Sequence, residues 1–411
     1  MSTPHTAAIV GTGITPFGRH DDRDLRSLTE QASRAALADA GLSPADVSMV
    51  LFGNAVDGFL HGQEMIRAEV ALRHLDLPGV PMMTVENACA SSSSAFHMAC
   101  AAVLGGAADV VLVVGAERLS HPQKDRTALA LATAVDLTEH GGLGALVGAT
   151  GVPDDVQPIA TPSPLMDLYA AKTRSFMERT GVTVEDLAAV SVKNRLHGSL
   201  NPNAQFRRPV DLQSVLASRM ISDPLRLMMC SPVGDGAAAV VVTTTDHARR
   251  LTRRSGGSYV EVKATALTSN AANDAARQPV TRAAQAAYER AGVGPEDLHV
   301  VEVHDACAAA ELWLYEDLGL TDDPADLVCS QATSLGGKLP TNTGGGLIAR
   351  GHPLGATGCA QLVELADQLR DRAGDRQTPH PVHALAQNSG GILDDLDEAV
   401  AAVTILSRGS S

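Results

Sequence analysis

Four short stretches hold residues whose type and spacing suit covalent chemistry at a carbonyl. In TVENACASSSSAFHMACAAVLGG, Cys89 follows an apolar strand ending near Val85 and precedes an apolar helix. A Cys at that junction faces unpaired backbone N–H groups and the positive end of the helix dipole. Both favour thiolate and are expected to lower the pKa from its usual ~8.5. The small residues Ala88 to Ser94 are expected to leave room for a substrate carbonyl. Cys89 is thus either a nucleophile or a buried, inert thiol. Cys100, inside the same helix, reads as packing.

The second stretch, NTGGGLIARGHPLGATG, delivers one imidazole, His352, on a tight path of glycines. Pro353 fixes its own φ and donates no hydrogen bond. A phosphate-binding loop competes as a reading, but the Walker lysine and the GxGxxG spacing are both missing. The third stretch is VEVHDACAAAELW, where His304 ends a strand and precedes a helix. Open α/β sheets place ligands at such strand ends. The fourth is AQNSGGI, where Gly390 and Gly391 permit a close backbone approach. His304 and Asp305 lack metal-ligand spacing, so no metal is expected. GxSxG is absent, which speaks against a Ser-His-Asp hydrolase.

The elements that carry these residues alternate. Apolar runs at 7–13, 82–86, 109–115, 237–244, 259–267, 382–387 and 399–406 read as strands with helices between them, an α/β signature. Residues 28–55 and 279–306 repeat at a constant offset of 251. Each copy is an Ala-rich helix, a Gly suited to the left-handed C′ position, a Pro/Asp turn and a strand. The same pattern echoes at 178–190, so it is partly generic. An apolar strand before each copy favours a duplication. The expected organisation is a first half of 1–120 with 235–250, an inserted loop domain at 121–234, and a second half at 255–411.

Composition narrows the class. The 411 residues carry a net charge of −15, the wrong balance for a general nucleic-acid binder. Six Phe, four Tyr and one Trp leave the core to Ala, Val, Leu and Met. No apolar run is long enough for a transmembrane helix, and the first residues lack a secretory pattern. Six scattered Cys form no disulfide framework. A reducing cytoplasm is the expected home.

Taken together, the motifs resemble the thiolase superfamily over nearly the whole chain. Cys89-Ala90-Ser91 matches the nucleophile motif and GHPLGATG the His motif. DPLRLMMCSPVGDGAAAVVV resembles the strand closing the first half, and VGAERLS the one leading into the loop domain. HDAC at 304–307 is similar to the HDCF or HDAF of sterol-carrier-protein-type and archaeal-type members. The resemblance implies two βαβαβαββ halves stacked as a five-layer α-β-α-β-α sandwich. It implies thiolysis of a 3-ketoacyl-CoA, or the reverse Claisen condensation, through an acyl-Cys intermediate. Coenzyme A thioesters would be substrates, with no permanently bound cofactor.

By the same resemblance, Cys89 is the nucleophile. His352 activates it and helps bind an oxyanion, and His304 completes that oxyanion hole. The N–H groups of Cys89 and Gly390 form a second hole. Lys193, Arg195, Arg207 and Arg208 are candidates to meet coenzyme A. Two places where relatives carry a proton-shuttling Cys hold Ala306 and Asn388 here. Cys307 is expected to pack, with His352 or His304 serving as base. A homodimer or tetramer pairing near MMTVE is implied, and a zinc-ribbon/OB-fold partner is conceivable. Retro-aldolase relatives of sterol side-chain type offer an alternative, but they lack the Cys and His retained here. A partner-dependent acyltransferase subunit is a further one.

Overall fold

The computed structural model describes residues 6–137, 164–271, 278–393 and 396–409. The first half contains β1 (Ala7–Ile14), β2 (Met49–Gly53), β3 (Met82–Val85) and β4 (Val110–Arg118). A small hairpin, β5 (Met220–Ser222) and β6 (Leu225–Arg226), follows in the inserted stretch. β7 (Asp235–Thr244) closes the first half. The second half contributes β8 (Val260–Ser269), β9 (Val300–Glu302), β10 (His383–Ile392) and β11 (Glu398–Arg408).

The strands run in the order β3-β2-β4-β7-β1-β8-β11-β10-β9. Read from each end, the two halves repeat one another: β2-β4-β7-β1 matches β9-β10-β11-β8. The two half-sheets are not separate. β1 bonds β7 on one side and β8 on the other, the latter over Ala7↔Val262, Ala8↔Glu261 and Ile9↔Val260.

Period-two alternation sorts the side chains into layers. On β4, Val111 and Val113 face a central apolar layer, while Val110, Leu112 and Val114 face the outer helix Leu25–Ala40. The central layer holds two helices, Ser91–Leu104 and Thr357–Leu369. Beyond the second half-sheet, Val280, Ala283 and Ala287 of the helix Pro279–Ala291 pack on Val301, Leu385 and Val403. The result is the expected helix–sheet–helix–sheet–helix stack.

The repeat is structural as well as textual. Both copies end their helix at a left-handed Gly, Gly41 (φ 67°) and Gly292 (φ 64°). Both then make a 3₁₀ turn, Pro44–Asp46 and Pro295–Asp297, and enter β2 and β9. The third echo diverges. After Gly181, a Thr183–Asp186 capping box starts another helix, Val184–Ser199, and not a strand.

Between β4 and β7 the chain forms the helices Lys124–Ala132, Pro164–Thr180, Val184–Ser199 and Leu212–Leu216; positions 138–163 of the expected insertion lie outside the described residues. A buried polar network fastens this stretch to the second half. Lys193 Nζ pairs with Glu311 Oε1 at 2.6 Å, and Asn194 Nδ2 donates to Asp305 and Glu311. Removing one partner from such a network costs about 3–5 kcal/mol, because a buried charge is left uncompensated.

Candidate active site

Cys89 is presented by a strained turn. Ala88, the residue before it, has φ 47°, a left-handed value that costs a non-glycine residue about 1–2 kcal/mol. Local hydrogen bonds hold it there. Glu86 Oε1 accepts from Ala88 N, and Ser91 Oγ donates to Ala88 O, both at 2.6 Å. Cys89 is 9 % exposed, just ahead of the helix Ser91–Leu104. Around it lie Leu60, Leu119, Ala130 and Leu354, an apolar lining suited to an acyl chain.

The small residues after Cys89 serve packing more than substrate. A Cβ on Gly53 would lie 2.7 Å from Ser92 N, and one on Gly358 would lie 2.1 Å from Ser93 Oγ. The serines are small because strands and central helices meet there at backbone distance.

His352 arrives from the equivalent junction of the second half, ahead of the helix Thr357–Leu369. Its Nδ1 is 2.8 Å from Thr357 Oγ1, whose hydroxyl lies 3.1 Å from Pro353 O. Buried Glu117 at the end of β4 ties this loop to the first half. It accepts from the N–H groups of Ala55, Val56, Asp57 and Gly355 and from Asn54 Nδ2.

His304 follows β9. Its backbone N–H donates to Gln387 Oε1 at 3.0 Å, and its Nδ1 lies 2.5 Å from Asn388 Oδ1. Asn388 Nδ2 reaches Cys89 O at 3.1 Å and Ser93 Oγ at 3.0 Å. Asp305, next along, accepts from Leu347 N and Asn194 Nδ2, which joins the strand end to the glycine loop and the inserted helix. The His304 and His352 rings stand edge to face, with centroids 5.0 Å apart. One ligand atom from each of Cys89, His304 and His352 lies within 4.8 Å of the others. These atoms would also surround a metal ion, but its binding would require loss of the thiol proton, which burial opposes.

The electrostatics overturn the expectation of a low thiol pKa. Burial, followed by the field of Glu117, pushes Cys89 up to about 12. Desolvation outweighs the N–H groups of the turn. Burial also lowers His304 to about 4, despite the hydrogen bond to Asn388. His352 is driven well down by burial, then by His304 and Arg350. At neutral pH the trio is a thiol and two neutral imidazoles, and any thiolate must arise by proton transfer inside the site.

Gly390 belongs to the site by contact. β10 does not end at the glycines but runs on to Ile392, and a Cβ on Gly390 would sit 2.1 Å from Asn87 O. Cys307 is fully buried in the apolar cluster with Phe176 and Trp313, and Ala306 precedes it. Lys193 is corrected: its ammonium is buried against Glu311 and is not offered to a coenzyme. Arg195 lies over the Phe206 ring at 4.3 Å, while Arg207 and Arg208 are exposed. Sequence reading missed Glu117, Thr357 and the strain at Ala88. It noticed Asn388 only as a departure from a motif.

Both halves match family models: the thiolase N-terminal domain over residues 7–246 and the thiolase C-terminal domain-like family over 235–408. The chain is 36% identical to an acetyl-CoA acetyltransferase of Methanothermobacter thermautotrophicus, covering 98% of this chain and 99% of that one. It is 33% identical to benzoylsuccinyl-CoA thiolase subunit BbsB of Thauera aromatica, covering 95% and 96%. It is 34% identical to human sterol carrier protein 2, covering 93% of this chain and 69% of that protein. Among solved structures, an Ltp2-ChsH2(DUF35) aldolase superposes with TM-score 0.77 at 23% identity, over 99% of this chain and 98% of the other. Human mitochondrial 3-ketoacyl-CoA thiolase in complex with CoA superposes with TM-score 0.69 at 18% identity, over the same shares. These two likenesses concern the fold; the family models and the full-length relatives show that the chain belongs to the thiolase family of acyltransferases.

Proposed function

We propose that the protein thiolyses a 3-ketoacyl-CoA, or condenses two acyl-CoA units in reverse, through an acyl group on Cys89. The observation that carries this reading is the convergence of Cys89, His304 and His352 within 4.8 Å at the meeting of the two halves. In the condensing direction, His352 takes the thiol proton as Cys89 attacks the thioester and returns it to the departing coenzyme A thiol. In thiolysis the sulfur attacks the 3-keto carbonyl, and the bond to the α-carbon breaks to leave an enolate that takes up the proton. The N–H groups of Cys89 and Gly390 hold one thioester oxygen, and the two imidazoles hold the other. Each hole contributes about 3–4 kcal/mol to transition-state stabilisation.

Arg195, Arg207 and Arg208 are proposed to meet the phosphates of coenzyme A. A homodimer is proposed through β3, an edge strand that among the described residues pairs with β2 alone and leaves Met83 exposed. The proposed setting is the cytoplasm, and no helix among the described residues is long and apolar enough to cross a membrane. The division into two halves with an insertion at 121–234 is likewise proposed. A zinc-ribbon/OB-fold partner is a further proposal; the aldolase neighbour, a likeness of fold, carries a ChsH2(DUF35) component in its name. Retention of Cys89 and His352 favours acyl transfer over that chemistry.

The test is purified protein with acetoacetyl-CoA and free coenzyme A, with acid quenching and mass spectrometry of the Cys89 peptide. Thiolysis with an acetyl group on Cys89 supports the reading. No acyl adduct with any short-chain 3-ketoacyl-CoA sinks it.

A further inference from the structure

The hydrogen bonds around the two imidazoles determine which nitrogen of each carries a proton. Asn388 Nδ2 lies against Cys89 O, and a carbonyl only accepts. The amide is therefore oriented with Oδ1 toward His304, at 2.5 Å from Nδ1. Since an amide oxygen only accepts, His304 bears its hydrogen on Nδ1, and the neutral ring has a bare Nε2. His352 is held less firmly. Its Nδ1 meets the hydroxyl of Thr357, which directs its own hydrogen to Pro353 O. That hydroxyl can rotate; the Asn388 amide is pinned by Cys89 O, Ser93 Oγ and His304 together.

A neutral imidazole with a bare Nε2 first accepts a proton, and only the imidazolium that results can donate to an oxyanion. We propose that His304 Nε2 is the base that removes the α-proton of the second acyl-CoA, with Asn388 as the positioning residue that fixes its tautomer. The proposal rests on the thiolase reading and fills the role left open by Ala306 and Asn388 at the two expected cysteine positions.

The step balances without another reactant. The α-carbon's proton goes to His304 Nε2, and the C–H pair becomes the enolate of the second thioester. That carbon bonds to the acyl carbon on Cys89, and the bond from that carbon to Cys89 Sγ breaks. The sulfur leaves with the electron pair and takes the proton from His304, restoring the thiol. The Cys89 sulfur and one ring nitrogen of each histidine lie within 4.8 Å of one another, a spacing that suits this relay.

His304 is preferred over His352 because a fixed amide oxygen supports the imidazolium better than a rotatable hydroxyl already donating elsewhere. The surrounding charges agree. Glu398 favours protonation of His304, whereas His304 and Arg350 oppose that of His352. The titratable groups facing His304 are His352, Cys89 and, farther off, Glu398.

The test measures α-hydrogen exchange of acetyl-CoA in D₂O beside acylation of Cys89. His304→Ala is expected to lose exchange at least about tenfold more than it loses acylation. Asn388→Asp places a carboxylate on Nδ1–H and raises the pKa of His304. Its exchange is expected to fall more than about tenfold at pH ~7 and to recover toward pH ~9, while the unaltered protein stays flat over that range. A merely structural Asn388 would not move the pH profile. Exchange surviving in His304→Ala, exchange lost only in His352→Ala, or an unshifted Asn388→Asp profile would overturn the proposal. Exchange is also read in Cys89→Ser protein, which cannot form the thioester adduct. Failure of acylation in the unaltered protein therefore sinks the thiolase reading alone.

Discussion

Gly53 and Gly115 stand opposite one another on β2 and β4. The offset of 251 and the strand register place His304 and Asn388 at the corresponding positions of the second half. The neighbours differ for a physical reason. In the first half, the loop carrying His352 fills the space with main chain. Gly355 O lies 2.2 Å from where a Gly115 Cβ would be. In the second half, the matching main-chain group is Cys89 O, farther out, and Asn388 Nδ2 bridges to it at 3.1 Å. One pocket is closed by backbone; its twin has room for an imidazole and the amide that orients it. The two halves hold similar strand–turn–helix junctions, and the site residues lie where the junctions differ.

Exchanging the thiol tests this most severely. Cys89→Ser should lower turnover by about 10⁴-fold or more, because the acyl group has no thioester to pass through. A loss under about tenfold would mean that the first half does not supply the nucleophile. Iodoacetamide mapping should show Cys89 as the thiol whose modification stops turnover. Cys329 is exposed and is expected to label as well, slowed by its hydrogen bond to Asp186 and without loss of activity.

The next contrast is between the histidines. With His304 lowered to about 4 and Cys89 raised to about 12, alkylation through internal proton transfer should be independent of pH between the two. Raising the pH neither frees a base nor removes the thiol proton until it nears the upper value. His352→Ala should slow alkylation at neutral pH by about 10²–10⁴-fold and make it rise about tenfold per pH unit. A flat profile in that variant would transfer the thiol-activating role to His304.

Glycine substitutions test the backbone-filled pocket. Gly115→Ala should press on Gly355 O and Gly390→Ala on Asn87 O, each costing about 1–3 kcal/mol in chemical denaturation. Both should reduce kcat more than they raise KM, since they displace the two catalytic loops. Equal, unchanged kcat values would show that the loops tolerate the shift. The smallest effect belongs to Cys307→Ala, which removes one sulfur from an apolar cluster. It should cost about 1 kcal/mol and leave α-proton exchange within about twofold. A hundredfold loss would make Cys307 the base.

Much of this was legible in the sequence because it lies in chain-local patterns. The repeat, the Gly-terminated helices and the motif residues Cys89, His304 and His352 needed only spacing and neighbours. The extension of β10 through Asn388 to Ile392 was harder to read, since glycines after an apolar run look like a strand's end. Lys193 was misread because a helical lysine beside arginines looks exposed. Its partner Glu311 lies more than a hundred positions away. The charge state of Cys89 escaped for the same reason: burial and the field of Glu117 are properties of the assembled layers.

Storing the nucleophile as a buried thiol has a consequence for its lifetime. Peroxide attacks thiolates, and irreversible oxidation to sulfinic and sulfonic acids begins from that form. Between substrates, Cys89 holds its proton beside two imidazoles that accept one poorly. The site is thus a weak target for oxidants at rest, and its sulfur becomes reactive in the presence of the thioester that consumes it.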